Sequence, residues 1–446
     1  MAEKFDLILK GGTLVTPSGV ITADIAARCG RIAALGDLDH AHAAKVVDVA
    51  GLHVLPGVID SQVHFREPGN EHKEDLETGS RAAVLGGVTA VFEMPNTNPP
   101  TTTAEALADK IARAKGRMHC DFAFYVGAAS ENLDMLGLLE RIPGCAGVKI
   151  FMGSSTGNLL VPDDDSVARA FAHANRRVAV HSEDEARLVA RKAEARAGEP
   201  VTHPIWRDEK TAILCTERLL SLVKRAGKRV HVLHVTTAEE MDLLRNARDF
   251  ATVEVTPQHL TLEAPGCYEE LGTYAQMNPP IRDGQHREAL WRAISDGTVD
   301  VIGSDHAPHT KEEKDKPYPN SPSGMPGVQT LVPIMLDHVA QGRLSLARFV
   351  DLTSHGPARI FSLAGKGRLA AGYDADFTIV DLAHERVISN EWIASRCGWT
   401  PFAGRKVRGW PVGTIIRGQT VMWQDELVVA GAGEPLRFQE TLLPNS

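Results

Sequence analysis

The sequence predicts an α/β fold: a (β/α)8 barrel of the TIM type, with a small β-sandwich domain built from both chain termini. Two observations point there. Between residues 53 and 360, apolar strand-like runs alternate with helical stretches eight times over, as repeated βα units require. The flanks, 1–52 and 361–446, differ in texture, with short β-prone runs separated by glycine turns. Two β-rich ends around a different centre read as one domain, because chain ends usually lie close together. At 446 residues the chain is long enough to bury a core in each.

In chain order, the first flank offers strands over 5–10, 13–15, 21–27 and 31–35, broken at Gly11-Gly12 and near Gly30. The apolar run 52–59 opens the barrel as its first strand. Further strands are expected over 90–94, 121–126, 147–151, 178–181, 230–234, 252–256 and 299–302. Helices are expected over 74–85, 103–115, 165–174, 183–197 and 213–226. The longest irregular stretch, 309–327, is polar and rich in Pro and Gly. The second flank returns to strands at 376–380, 414–418 and 421–423.

Composition excludes several classes. With 43% hydrophobic and 24% charged residues the chain reads as soluble and globular. A net charge of −9 leaves no basic excess to neutralise phosphates, which argues against non-specific nucleic-acid binding. The six cysteines are scattered, with no CxxC, as suits reduced thiols rather than a disulfide framework. Neither a signal peptide nor a membrane-spanning run is evident, so the expected compartment is the cytoplasm.

The chemistry gathers at the ends of the predicted strands, where barrel enzymes carry their sites. In Asp60-Ser61-Gln62-Val63-His64-Phe65-Arg66 the alternation puts Gln62, His64 and Arg66 on one side, with Asp60 a step below. Later strands end in Asn96, Lys149, His181, His234, His259 and Asp305-His306-Ala307-Pro308-His309. Taken singly, a strand-end histidine is more often a hydrogen-bonded structural residue, Asp305 could cap a turn, and Arg66 could be a surface charge. Together, His64, His181, His234 and Asp305 converge on one barrel mouth. Imidazole and carboxylate in that number suit a divalent metal, zinc above all, with a position open for water.

Lys149 stands in the apolar strand Gly147-Val148-Lys149-Ile150-Phe151-Met152, where a bare ammonium is costly. Burial would lower its pKa, and carboxylation by carbon dioxide would make it an anionic bridge between metals. The alternative is a buried stem whose head reaches solvent or an acid. A metal-bound water would be acidified and a carbonyl polarised. Asp305 would take the water's proton and pass it to the leaving nitrogen. Arg66 offers a fork for a substrate carboxylate, with Asn96 and His309 as further donors. The residues thus point to metal-dependent hydrolysis of a small carboxylated amide or ester.

Over nearly its whole length the chain resembles the amidohydrolase superfamily, and within that superfamily's cyclic-amidase branch the dihydroorotase family. The resemblance rests on His64-Phe65-Arg66-Glu67-Pro68-Gly69, Glu77-Thr78-Gly79, Gly86-Gly87-Val88-Thr89 and Met94-Pro95-Asn96-Thr97. It extends through Lys149 with Phe151-Met152, Asn278-Pro279-Pro280-Ile281-Arg282, Asp305-His306-Ala307-Pro308-His309, Gly372-Tyr373-Asp374-Ala375-Asp376 and Pro401-Phe402. It implies reversible hydrolysis of dihydroorotate to N-carbamoyl-aspartate in pyrimidine synthesis, with one or two zinc ions. By position it makes Lys149 the N-carboxylated bridging ligand and His181 and His234 ligands of one zinc. His64 and Asp305 would belong to the other, with Asp305 also the catalytic acid/base. Arg66, Asn96 and His309 match the carboxylate-holding residues, Asn278 a pocket residue, and Gly324-Met325-Pro326-Gly327 a turn over the ring. A homodimer and an aspartate carbamoyltransferase partner are further implications of the family.

One departure stands out. The family's first strand carries His-x-His, and here the first position is Gln62, a weaker zinc ligand than imidazole. That leaves one firm and one weak zinc, a Gln62 oxygen ligand, a single metal, or a non-catalytic relative supporting a transferase. Gln258, beside His259, is another place where relatives often carry a second histidine; the sequence assigns neither residue a role. The nearest rival enzyme is an allantoinase or hydantoinase, whose substrates should not need the carboxylate clamp that Arg66 and Asn96 suggest.

Overall fold

The computed structural model describes residues 4–155 and 159–442; residues 1–3 and 443–446 of the two flanks lie outside the described residues. Eight parallel strands form a nearly closed barrel: Val58–Val63, Val88–Glu93, Asp121–Gly127, Cys145–Phe151, Val178–His181, Val230–Val232, Ala251–Val255 and Val301–Ile302. They neighbour one another in chain order. The ring closes just past its last strand, where the His64 N–H donates to the His306 carbonyl at 2.7 Å and Val63 bridges His306.

The chain ends build a second, mostly antiparallel sheet of nine strands. Its halves join at His53–Pro56, which pairs parallel with Lys4–Thr16 and antiparallel with Phe377–Val387. The strand expected over 52–59 is therefore two strands, and only the second enters the barrel. Pro56 lacks an N–H for the ladder. Gly57 passes so close to its neighbours that a Cβ would stand 2.3 Å from Thr89 Oγ1 and 2.9 Å from Asp376 Cβ. The chain changes sheets where only glycine fits.

The barrel helices start where side chains accept the orphan N–H groups of the first turn. Asp75 caps Leu76–Leu85, Thr103 caps Ala104–Ala114, Asp163 caps Asp164–His173 and Asp208 caps Glu209–Ala226. The helix expected over 183–197 is only Glu185–Ala190, because Asp184 is its cap and Glu183 turns inward toward His181. The irregular stretch 309–327 contains one short helix, Lys311–Lys314, opened by a Thr310 capping box.

The side chains Phe361 and Phe438 plug the barrel from its N-terminal end, edge-on to Phe92 at 5.1 and 5.8 Å between ring centroids. Barrel and sheet are bolted together by buried Lys366, whose Nζ lies 2.6 Å from Asp121 Oδ2 and 3.2 Å from Asp374 Oδ2. No helix of the described residues is long and apolar enough to cross a membrane.

Candidate active site

The strands' C-terminal ends open into a narrow pocket. Gln62, His64, Arg66, His181, His234, Asn278 and Asp305 line it, together with Phe151, Ser323 and Gly324. Seven residues singled out in the sequence are thereby brought together from five segments of chain. Backbone strain concentrates here as well. Of eight non-glycine residues with left-handed φ among those described, three are Arg66 (64°), His234 (36°) and Asp305 (45°). Such conformations cost free energy and persist where the surrounding structure over-determines them.

The hydrogen bonds around the histidines set their lone pairs. His64 Nδ1 lies 2.8 Å from the amide oxygen of Asn96, an acceptor, so Nδ1 carries the proton. Burial holds the ring below its ordinary pKa, hence neutral, and Nε2 presents its lone pair to Asp305 Oδ1 at 3.2 Å. His181 behaves alike: Nε2–H donates to Glu183 Oε2 at 2.9 Å, while Nδ1 faces His234 Nε2 at 3.0 Å. Glu183 is fixed in turn by Arg207, whose Nε donates to Oε1 at 3.1 Å. Gln62 Nε2 donates to Asp305 Oδ1 at 3.0 Å.

Three buried atoms in or beside this pocket have no hydrogen-bond partner among the described residues: Lys149 Nζ, which is not part of its lining, Gln62 Oε1 and His234 Nδ1. Lys149 is 1% exposed, and its Nζ lies 4.4 Å from the Phe151 ring centroid. Desolvation pushes its pKa down to about 7, against weaker opposing pulls from Asp305 and Glu254. Unsatisfied buried polar atoms are rare in folded proteins. These three lie beside two donor pairs, His181–His234 and His64–Asp305, and a divalent cation could satisfy them together.

Arg66 is also buried, its pKa lowered by desolvation to about 10 and its charge retained. Nε donates to the Pro308 carbonyl at 3.1 Å, and Nη2 lies 3.2 Å from His309 Nε2. No carboxylate of the described residues pairs with it. Asn96 and His309 are not among the residues that line the pocket. His309 is fully buried, with Nε2 3.0 Å from the Ser323 carbonyl and Nδ1 3.2 Å from Lys73 Nζ.

Gln258 and His259 face the scaffold. Gln258 Nε2 donates to the Ser304 carbonyl at 2.9 Å. His259 bridges Thr256 Oγ1 at 2.8 Å and the Pro279 carbonyl at 3.0 Å, steadying the turn that carries Asn278. Sequence reasoning missed Glu183, Arg207 and Lys73. For Glu183 a signal exists, since two residues beyond His181 an extended chain points the same way.

A parallel barrel with imidazole, carboxylate and a buried lysine at its C-terminal mouth is the architecture of metal-dependent hydrolases. Residues 53–421 match the amidohydrolase family, and the chain belongs to it. It is similar to a dihydroorotase of Halobacterium salinarum, 39% identical over 87% of this chain and 90% of that one. An allantoinase of Salmonella gallinarum is 34% identical over 94% and 95%. Among solved structures, the L-hydantoinase (dihydropyrimidinase) from Arthrobacter aurescens matches with a TM-score of 0.92 and 31% identity, covering 97% and 99%.

Proposed function

We propose that this chain is a dihydroorotase, a zinc-dependent enzyme that opens the cyclic amide of dihydroorotate to N-carbamoyl-aspartate and closes it again. The choice among cyclic amides is carried by one observation: Arg66, a buried guanidinium that lines the pocket and pairs with no carboxylate among the described residues. A buried cation without a counter-ion is costly, so a substrate carboxylate is its natural complement. Allantoin and simple hydantoins carry none.

His64, Lys149, His181, His234 and Asp305 would hold the zinc, with Gln62 Oε1 as a further oxygen. When bound, zinc lowers the pKa of its water toward neutrality and polarises the amide carbonyl. Lys149 would serve as its N-carboxylate: the amine adds carbon dioxide and gives up a proton, a reaction that a pKa near 7 favours. Asp305 takes the proton of the attacking water and delivers it to the ring nitrogen as the C–N bond breaks. Asn278 and Arg66 hold the ring, and Asn96 and Glu183 keep His64 and His181 in the tautomers that face the pocket. With this reading go pyrimidine synthesis as the pathway and the cytoplasm as the compartment.

The test is hydrolysis by the purified chain supplied with zinc, followed as ring opening in the ultraviolet, with allantoin and hydantoin run alongside. Dihydroorotate should be turned over fastest. Turnover of allantoin or hydantoin alone would move the substrate assignment. Silence on all three would leave a non-catalytic, transferase-supporting subunit as the better reading.

A further inference from the structure

Lys314 ends the helix Lys311–Lys314, and its side chain is wholly buried. No carboxylate of the described residues pairs with it. Instead its Nζ meets three backbone carbonyls: Pro322 at 2.9 Å, Gly324 at 3.2 Å and Gln276 at 3.3 Å. An ammonium has three donors and no acceptor, so all its hydrogen bonds are spent here. The three carbonyls come from two separate segments. One continues from Gln276 to Asn278; the other contains Ser323 and Gly324, and all three of these residues line the pocket. The segments also touch directly, since the Gly324 N–H donates to the Gln276 carbonyl at 2.9 Å and the Ser321 hydroxyl to the Gln276 side chain.

Burial lowers the Lys314 pKa to about 7, as it does at Lys149, but here three carbonyl acceptors hold the amine in its charged form. A charged donor is suited to gathering several carbonyls at one point, because hydrogen bonds from an ion are stronger than neutral ones. We propose that Lys314 is a positioning residue: its ammonium clamps these two segments together and so sets the distance between Asn278 and Ser323–Gly324 across the substrate ring. The clamp acts on substrate binding rather than on the proton transfers, which occur at Asp305. This inference rests on the cyclic-amide reading of the pocket.

Lys314→Met keeps the stem and removes the ammonium. Measured on the zinc-loaded enzyme, it should raise KM for dihydroorotate at least tenfold, with kcat within threefold of native and metal content unchanged. Amide exchange over residues 319–327 should quicken in the same variant. A folded variant with native KM and native exchange overturns the clamp, as does a loss confined to kcat. Should Lys314→Met not fold, the native holoenzyme decides. On saturation with N-carbamoyl-aspartate, exchange in 276–283 and 319–327 should slow together, and slowing of one without the other refutes the proposal. The reading beneath it fails separately: native enzyme inert toward dihydroorotate but active on hydantoin or allantoin removes the substrate assignment. The variant-to-native KM ratio on that substrate then still tests the clamp.

Discussion

His181 Nδ1 and His234 Nε2 face one another at 3.0 Å, while Glu183 holds the opposite nitrogen of His181. The carboxylate thus determines which nitrogen of His181 offers its lone pair to the pocket. Glu183→Gln keeps the shape and removes the charge. Metal affinity should fall about 10- to 100-fold, as for other changes behind a ligating histidine. Competition with a chromophoric chelator measures it, and native affinity in the variant would show that Glu183 serves Arg207 alone.

Lys149 is buried and its amine is unpartnered among the described residues. Lys149→Ala should lose bound metal, and added short-chain carboxylates should restore part of it by standing in for the lost anion. Metal analysis after gel filtration reads both. A variant that retains the native stoichiometry would rule out the bridging role.

Asp305 accepts from Gln62 Nε2 and faces His64 Nε2. Asp305→Asn should fold normally and lose roughly 10²- to 10⁴-fold or more in kcat, the range for removing a general acid–base group. Steady-state kinetics decide the matter: a kcat within tenfold of native would assign the proton transfers elsewhere.

Arg66→Met keeps much of the volume and removes the fork. KM for dihydroorotate should rise about 10- to 100-fold, equivalent to losing roughly 1.4–2.8 kcal/mol from a charge-assisted hydrogen-bonded pair. Any residual activity on uncharged hydantoins should change far less. Equal losses on both substrates would mean that Arg66 supports the wall of the pocket rather than a carboxylate.

Three buried histidines outside the pocket lining predict the acid limit of stability. Burial pushes His203, His231 and His338 down to about 3. The unfolded chain protonates them near 6.5, so below that pH it binds protons that the folded state refuses. Their contribution is complete above about pH 6.5 and is lost as pH falls toward 3. The slope is up to roughly 1.4 kcal/mol per pH unit for each imidazole. Urea midpoints between pH 7.5 and 5 should fall accordingly, and a flat profile would refute the coupling.

Much of the fold was legible because barrel strands and helices leave strong local patterns: apolar runs of strand length, caps such as Asp208, and glycine turns in the flanks. The strand over 52–59 misled because periodicity cannot tell which sheet a residue joins. Val54-Leu55 and Val58-Ile59 are equally apolar, and only their neighbours separate them.

The sequence by itself determined the architecture and the residue types available at each strand end, since both follow from local order along the chain. The tertiary structure alone decided which of those side chains meet. It left Asn96 and His309 out of the pocket lining and set Arg207 against Glu183. It also left Arg66 without an ion-paired carboxylate among the described residues and carried Lys314 to three carbonyls, one of them on the segment of Gln276. The reason is physical. Strand alternation fixes the side on which a residue points, but hydrogen-bond partners come from elements tens or hundreds of residues away, joined only when the barrel closes.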